Sequence, residues 1–438
     1  MLLSSSFIAA QLNSPCLSRV YVGYSGGVDS HVLLHLCASI VDLKHKITAV
    51  YVHHGLQPEA DNWAKHCQHT ACELGIDFKM LRVDASPKHG ESPEEAARNA
   101  RYTALKALID VDCALLVAQH REDQLETVLL QLFRGGGLRG LSGMPETMAF
   151  GQGVLLRPLL NVAKQDIDDY ARVQQLRWIE DPSNAQNDYD RNYLRNDILP
   201  LLKQRWPALD KTVSRSAAHC ASAEILITQI ARQWFSSVFN ADDNTLLLSQ
   251  LQAFEASQQQ HIIRAWFQQL ALKMPAQAFV QRIFQEVIHA RQNSDPILAG
   301  QGISIRRYRD KLYCLKHSPQ PLLADFIWPN TITSIALGDN RTLSCVPASS
   351  GIPVEYWRNA KIVVRFRVKC EKISLPARVD HHSLKNLFQE AGIPPWDRLM
   401  LPFIYLDDKL AAVGDKWISS DFYSETNESI RLVLRALQ

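Results

Sequence analysis

Apolar and polar positions alternate on two different periods along the first part of the chain. Short runs rich in β-branched and other apolar residues lie at 19–24, 47–54, 78–83 and 113–118, and we predict that each is a buried strand. A stretch with helical spacing follows each run, which is typical of strand–helix units that build a parallel sheet covered on both faces. This part of the chain is therefore predicted to be an α/β domain.

Two of the intervening helices have clear limits in the sequence. Ser92 is a good capping residue and Pro93 suits the first helical position, so a helix is predicted to begin there. A second helix is predicted over 121–133, because one apolar stripe recurs at helical spacing and should face the core. The stripe consists of Leu125, Val128, Leu129 and Leu132.

The pattern of apolar and polar residues changes twice in the remainder of the chain. From about residue 208 to 290 the spacing is helical, whereas short strands and turns prevail beyond residue 300. We predict three domains: a parallel-sheet domain over 1–207, a mainly helical domain over 208–345 and a small α+β domain over 346–438.

Composition places the chain among ordinary globular proteins. Hydrophobic residues make up 46% and charged residues 21% of its 438 residues. No apolar run approaches the roughly 18–20 residues that span a bilayer, and the first residues lack the basic start of a secretory signal. We therefore expect a cytoplasmic protein with no membrane partner.

The cysteines are scattered along the chain, and no CxxC pair occurs. Most of them are predicted to be reduced, small hydrophobic residues of a core. Cys67 lies between His66 and His69, which leaves a metal site open as an alternative.

Basic residues cluster locally although the net charge is only +2, which argues against a general polyanion binder. Such clusters can attract a nucleic acid while the total charge stays near zero. A solvated strand face explains the same residues equally well. The clusters comprise Arg306, Arg307, Arg309, Arg358, Lys361, Arg365, Arg367, Lys369 and Lys372.

A Ser/Gly loop follows the first predicted strand and leads into a helix. Its two glycines permit a tight turn and a close approach to a ligand, and the amide groups of the helix start favour anions. The two serines add hydroxyl donors for phosphate oxygens, and Asp29 is suited to hold Mg²⁺ or to orient the loop. A purely structural turn is the alternative. The loop consists of Ser25, Gly26, Gly27, Val28, Asp29 and Ser30.

These six residues resemble the SGGxDS motif of the PP-loop ATP pyrophosphatases. The Walker pattern and the Rossmann GxGxxG are absent, and the loop contains no lysine. The resemblance implies that the loop binds ATP, with Mg²⁺, and that AMP passes to a substrate oxygen while pyrophosphate is released. It does not identify the substrate.

Further motifs resemble those of the tRNA(Ile)-lysidine synthase family and extend over nearly the whole chain. His53 and His54 end the second predicted strand in a VxHGL-like element that finishes with Leu56. Because ligands of open α/β sheets bind outside the carboxyl ends of the strands, we predict a nucleotide contact for His54. The fourth predicted strand leads into a match to HxxDQxET. There His120 is a candidate to stabilise phosphate charge or move a proton, and Asp123 a candidate to carry Mg²⁺ or to cap the helix.

Later segments extend this resemblance. A glycine-rich loop over 134–144 matches RGxGxxGLxGM, with a flexible linker as the alternative. Residues 181–195 match a DxSN…xxRNxxR block in which Arg191 and Arg195 would clamp anions, with an ordinary surface pair as the alternative. The stretch 386–398 looks like the accessory domain of the longer family members, which implies tRNA recognition and gives the basic clusters a partner. A helix pattern of the family is matched by Glu95, Arg98, Arg101 and Tyr102.

The resemblance implies a carbon–nitrogen ligase that uses the isoleucine tRNA with anticodon CAU, free L-lysine and Mg-ATP. The C2 oxygen of the wobble cytidine would take AMP from ATP, and the lysine ε-amine would then displace the AMP. Two alternatives remain: another PP-loop tRNA-modifying enzyme, and a non-catalytic, nucleotide-regulated RNA-binding protein. The choice between a monomer and a homodimer stays open. The residues expected to be catalytic are Asp29, His120, Asp123 and Arg191.

Overall fold

The computed structural model divides the chain into two compact units, Met1–Ile230 and Ala231–Gln438. This division tests neither of the domain limits predicted after residues 207 and 345, which stay predictions. The structure describes residues 3–12, 17–55, 59–87, 93–182, 186–291, 294–316, 324–337, 340–366, 372–376, 381–425 and 428–436.

The first unit contains one six-stranded sheet. Its strands are β1 (Arg19–Gly23), β2 (Ile47–His53), β3 (Asp77–Arg82), β4 (Cys113–Leu116), β5 (Thr147–Phe150) and β6 (Gly153–Leu156). The order across the sheet is β3-β2-β1-β4-β6-β5, and all neighbours are parallel except β5 and β6. The α/β prediction and the positions of the four predicted strands are therefore confirmed. Burial is confirmed for β1, β2 and β4, but it is wrong for the edge strand β3, none of whose residues is buried.

One helix precedes this sheet, and the others follow its strands. They are α1 (Ser5–Leu12), α2 (Val28–Ala38), α3 (Ala60–Glu73), α4 (Pro93–Leu108), α5 (Arg121–Phe133), α6 (Leu138–Leu141), α7 (Lys164–Val173), α8 (Asp190–Tyr193) and α9 (Leu199–Arg205), with a 3₁₀ turn at Lys44–Lys46 and a π-helical turn at Leu194–Ile198. The helix α5 has the predicted limits, and α4 begins at Pro93 as predicted. The capping residue predicted for α4, Ser92, lies outside the described residues.

The central strand β1 is covered on both faces. Val20 and Val22 pack into a core shared with α2, α3 and α7, whereas Tyr21 packs with residues of α4 and β4 on the opposite side. This double cover explains why the strands are continuous apolar runs in the sequence. A ligand is therefore expected at the ends of the central strands.

The apolar stripe predicted for α5 is confirmed at its start and wrong at its end. Leu125 and Val128 are buried, whereas Leu132 is 53% exposed. The buried residues of α5 all lie in its first two turns, so its last turn extends past the packed region.

Of the seven cysteines in the described residues, Cys37, Cys67 and Cys113 are buried as predicted, whereas Cys72 is exposed and Cys220, Cys314 and Cys345 are half-buried. Burial raises the pKa of the Cys37 and Cys67 thiols to about 12. Both therefore stay protonated and unreactive at neutral pH. Cys16 and Cys370 lie outside the described residues.

The long helix α10 (Leu209–Val238) is followed by a second sheet of five antiparallel strands. These are β7 (Phe239–Asn240), β8 (Thr245–Leu247), β9 (Ile297–Gly300), β10 (Ile303–Tyr308) and β11 (Lys311–Lys316), in the order β7-β8-β11-β10-β9. The helices between them are α11 (Leu248–Gln252), α12 (Ala256–Gln269) and α13 (Gln277–Arg282), which a π-helical turn extends over Ile283–Ile288. The helical prediction for this part missed β7 and β8, because strands of two and three residues leave no alternating pattern.

The C-terminal part is a mixture of short strands and helices, as predicted. One sheet contains β12 (Phe326–Ile327), β16 (Ile362–Arg365), β19 (Phe403–Leu406), β20 (Lys409–Val413) and β21 (Trp417–Ile418). A second sheet contains β13 (Ser334–Ala336), β14 (Arg341–Ala348), β15 (Ile352–Pro353) and β22 (Ser429–Ala436). The strands β17 (Lys372–Ser374) and β18 (His381–Ser383) pair with each other. The helices are α14 (Val354–Asn359), α15 (Leu384–Glu390) and α16 (Pro395–Arg398), with a 3₁₀ turn at Ser420–Phe422. Throughout the described ranges, no helix is long and apolar enough to cross a membrane.

Candidate active site

The loop predicted to bind phosphate joins β1 to α2 at the carboxyl edge of the sheet. Gly26 has a φ of +85°, and a Cβ at this position would lie 2.5 Å from Cδ1 of Ile179 and 3.1 Å from Sγ of Cys67. Only glycine fits there without strain. Gly27 is the N-cap residue of α2 and no side chain caps this end, so the free amide groups of the first turn favour an anion there.

The two serines of the loop bind each other. The Ser30 hydroxyl donates to the carbonyl oxygen of Gly27 at 2.9 Å, and its oxygen lies 3.1 Å from that of Ser25. The backbone N–H of Ser25 also donates to Ser30 at 3.2 Å. Ser30 is buried and its proton is used inside the loop, so it fixes the shape of the loop, whereas the predicted phosphate contact stays a prediction.

Asp29 lies in the first turn of α2, where three charged or ionisable groups converge. Its Oδ1 lies 2.5 Å from Nζ of Lys164, at the start of α7. Its Oδ2 lies 3.7 Å from Nε2 of His120, at the start of α5. The fold therefore brings together the predicted residues Asp29 and His120, and it adds Lys164, which was not predicted.

His120 is 3% exposed and caps α5 through its ring. Its Nδ1 accepts the backbone N–H of Glu122 at 3.2 Å. An acceptor at Nδ1 places the proton of the neutral ring on Nε2. That atom faces Oδ2 of Asp123 at 3.4 Å as well as Asp29, so the ring presents a donor to the space beside the loop.

Asp123 uses both carboxylate oxygens. Its Oδ2 accepts the backbone N–H of His120 at 3.0 Å, and its Oδ1 accepts from Arg195 at 2.8 Å. Burial alone would raise the pKa of Asp123, but the neighbouring His120 ring, the charge of Arg195 and the bond from the His120 backbone outweigh burial and lower it. Asp123 therefore carries its charge at neutral pH, and the predicted capping role is confirmed.

Glu126 is the buried anchor of the site, with a side chain only 1% exposed. Arg195 approaches it with two nitrogens, at 2.6 and 2.9 Å. Nε of Arg191 lies 2.9 Å from the same carboxylate, and its terminal nitrogen donates to Thr127 at 2.9 Å. Glu126 was not predicted as a site residue, although it is the glutamate of the HxxDQxET match.

The predicted anion clamp is therefore filled by carboxylates of the protein itself. Burial would lower the pKa of Arg195, but Glu126 and Asp123 outweigh it and raise that pKa further above its usual value. Arg195 and Arg191 hold α5 against the segment that contains α8. Of the matched DxSN block, Ser183 and Asn184 lie outside the described residues.

His54, predicted to touch the nucleotide, has a different neighbour. Its Nε2 accepts from Nε of Arg101, on α4, at 3.3 Å. Burial, with the charge of Arg101, lowers the pKa of His54 to about 4. The adjacent His53 accepts the backbone N–H of Gly55 and faces Asp61, which is a structural role. The described contacts do not connect His54 to the loop of Asp29, so its nucleotide contact stays a prediction.

The lowered pKa of His54 predicts a pH-dependent stability. Between about pH 4 and pH 6.5 the unfolded chain binds a proton that folded His54 does not, so the free energy of unfolding should rise with pH across this window. His54→Gln should flatten the slope, as measured by urea unfolding at several pH values. A nuclear magnetic resonance titration midpoint of this ring near 6.5 would contradict the prediction.

The glycine-rich loop after α5 is packed, which argues against a flexible linker. The Gln124 side chain accepts the backbone N–H of Met144 at 2.7 Å and donates to its carbonyl oxygen at 2.9 Å. A Cβ on Gly143 would lie 2.7 Å from Gln124, and one on Gly136 would lie 2.8 Å from the carbonyl oxygen of Gln131. These glycines allow the loop to fold back onto α5.

A cleft of about 630 Å³ opens beside Arg191. Glu95 and Arg98 of α4, which belong to the matched helix pattern, line it together with Thr127 and Arg134. The lining carries both signs of charge, which suits a polar substrate.

The basic cluster at 306–309 is not a simple solvated face. Arg307 is buried and donates to the carbonyl oxygens of Ile288 and Arg291 at 2.8 and 2.6 Å. The Arg306 guanidinium lies over the ring of Trp396, 5.1 Å from its centre. The Arg307 guanidinium is therefore engaged in hydrogen bonds inside the protein and is not available to a nucleic acid. In the second cluster, Arg367 and Lys369 lie outside the described residues.

Three protein-family models match successive parts of the chain. One described as a PP-loop domain matches residues 4–202, a TilS substrate binding domain matches 246–313, and a TilS substrate C-terminal domain matches 362–434.

Curated relatives resemble the chain along almost all of its length. The tRNA(Ile)-lysidine synthase of Methylococcus capsulatus is 40% identical over 414 residues, which cover 92% of this chain and 93% of the relative. That of Legionella pneumophila is 37% identical and covers 93% of both chains. That of Photobacterium profundum is 37% identical and covers 97% of this chain and 98% of the relative.

Proposed function

The chain belongs to the tRNA(Ile)-lysidine synthase family, and from this premise we propose that it ligates free lysine to the wobble cytidine of the isoleucine tRNA with anticodon CAU. Relatives with this name match it over more than nine-tenths of its length. ATP is the co-substrate implied by its PP-loop domain. We therefore retain the predicted carbon–nitrogen ligase activity as the proposed function and the cytoplasm as its proposed location.

One observation carries this proposal: ionisable side chains from three helices converge beside the glycine turn. Asp29 comes from α2, His120 from the start of α5, and Lys164 from α7. Their meeting point lies at the carboxyl edge of the parallel sheet, where ligands of such folds bind. A turn with only a structural role would not need this charge around it.

The residues at the loop fit a Mg²⁺ ion. Mg²⁺ is usually held by one or two carboxylates together with substrate phosphates. Asp29 is one-third exposed at the loop, whereas Asp123 has both oxygens engaged. We therefore assign Asp29 as the principal holder and Asp123 as the second carboxylate. The ion would neutralise phosphate charge.

The reaction would proceed in two displacements. The C2 oxygen of the cytidine bonds to the α-phosphorus of ATP, and the bond to the bridging oxygen breaks, which releases pyrophosphate. The lysine ε-amine then bonds to C2, and the C2–O bond to AMP breaks. His120 would donate from Nε2 to phosphate oxygens as charge develops, and Arg191, fixed by Glu126, would stabilise the departing AMP.

The C-terminal parts would hold the tRNA. Models of a substrate-binding domain and a substrate C-terminal domain match there. Exposed arginine and lysine residues would contact tRNA phosphates, and the anticodon base would be recognised by its edge and by stacking.

The test is incubation of the full chain with the isoleucine tRNA, ATP and isotopically labelled lysine. We expect a tRNA mass increase by one lysine less one water, and AMP with pyrophosphate as products. Release of ADP would contradict the proposal. Sulfur incorporation would support a PP-loop thiolase, and tRNA binding without ATP turnover would support the non-catalytic alternative.

A further inference from the structure

The phosphate loop has no cation of its own. Residues 25–30 contain two serines, two glycines, a valine and an aspartate. Pyrophosphate leaves with several negative charges, and such leaving groups are usually stabilised by a positioned lysine, arginine or metal ion. A side-chain cation near this loop must therefore come from another part of the chain.

Lys164 is such a cation. It is the first residue of α7, and its Nζ lies 2.5 Å from Oδ1 of Asp29 and 2.9 Å from Oδ1 of Asp168. The side chain is 26% exposed, so the ammonium group is reachable from the loop. A cation at a helix start is opposed by the helix dipole, so the dipole does not account for the position of Lys164.

The two arginines of the site are anchored by a buried carboxylate. Arg195 binds Glu126 and Asp123, and Arg191 binds Glu126 and Thr127. Lys164 differs because both of its carboxylate partners are partly exposed, Asp29 at 33% and Asp168 at 30%, whereas Glu126 is 1% exposed. Asp168, one turn along the same helix, can keep the ammonium in place when the contact with Asp29 is exchanged.

We propose that Lys164 is the phosphate-contacting cation of this site, exchanging Asp29 for the β- and γ-phosphate oxygens and remaining with the pyrophosphate as it leaves. The proposal rests on the proposed ATP pyrophosphatase function and adds a catalytic residue to it.

The competing account is that Lys164 only neutralises Asp29. Binding of inorganic pyrophosphate to the full chain, measured by calorimetry without tRNA and without Mg²⁺, separates the two accounts when Asp29→Asn is the background. With the Asp29 charge removed, a lysine that served only as its counterion stays paired with Asp168, and its removal should have little further effect. If Lys164 contacts phosphate directly, adding Lys164→Ala to Asp29→Asn removes that contact. The pyrophosphate Kd of the double variant should then be about 10-fold or more above that of Asp29→Asn alone, the usual effect of losing one charge-assisted hydrogen bond.

Three controls make the result specific. AMP lacks the outer phosphates, so its Kd should be equal in the two variants. Lys164→Arg should recover most of the pyrophosphate binding. Lys311→Ala is a matched control, because Lys311 is 31% exposed and lies 2.5 Å from Asp243; it should leave pyrophosphate binding unchanged.

Equal pyrophosphate Kd values for Asp29→Asn with and without Lys164→Ala would overturn the proposal. Failure of the proposed function would appear differently, as a wild-type chain that binds no pyrophosphate and forms no AMP. If the wild-type chain forms AMP and Lys164→Ala does not change the pyrophosphate Kd, only the assignment of Lys164 fails.

Discussion

Replacing His120 with asparagine is expected to slow lysidine formation by about 10²–10⁴-fold, the usual contribution of a positioned proton donor, while the chain stays folded. Asparagine is among the preferred N-cap residues, because its side-chain oxygen accepts a backbone N–H. It can therefore replace Nδ1 of His120, which accepts from Glu122. It cannot reproduce the Nε2 donor that faces Asp29 and Asp123.

His120→Ala separates the capping role from the chemical role. Alanine removes the cap as well, so this variant should lose about 0.5–2 kcal/mol of stability that the asparagine variant largely retains. Both variants should be equally slow in AMP release measured with tRNA and lysine. If His120→Asn instead had both the stability and the rate of the wild type, while His120→Ala lost both, His120 would only cap the helix.

Glu126→Ala should both destabilise the first unit and abolish activity. The change leaves Arg191 and Arg195 without the buried carboxylate that holds them. Removing one member of a buried pair is costly, but the two arginines are partly exposed and can turn to water, so we expect a loss of about 2–3 kcal/mol. The activity is lost because α5 and the segment containing Arg191 are no longer fixed to each other.

Two further variants serve as controls for Glu126→Ala. Glu126→Gln keeps the shape and one acceptor but removes the charge, so its stability should lie between those of wild type and Glu126→Ala. Glu286→Ala breaks the exposed pair with Arg282 and should change neither unfolding nor activity measurably. Chemical denaturation and AMP release measure both effects. A stable, active Glu126→Ala protein would contradict the anchor role.

Local patterns in the sequence determined the elements of the first unit. The apolar runs predicted β1 to β4, and the apolar stripe predicted α5, because a strand or helix repeats on a short period that neighbouring residues already display. Pro93 likewise predicted the start of α4. The hexapeptide at 25–30 identified the phosphate loop for the same reason: a glycine turn before a helix start is a local feature.

Tertiary structure alone decided which side chains meet. Lys164 lies 135 positions from Asp29 in the chain, and no local pattern connects them. The same holds for Arg195, which was expected to clamp a substrate anion and instead binds Glu126 and Asp123. Arg307 shows the converse, because a residue that looked solvated is buried on the carbonyl oxygens of a helix end. Contacts between distant residues depend on how elements pack, and packing is set by the whole sequence at once.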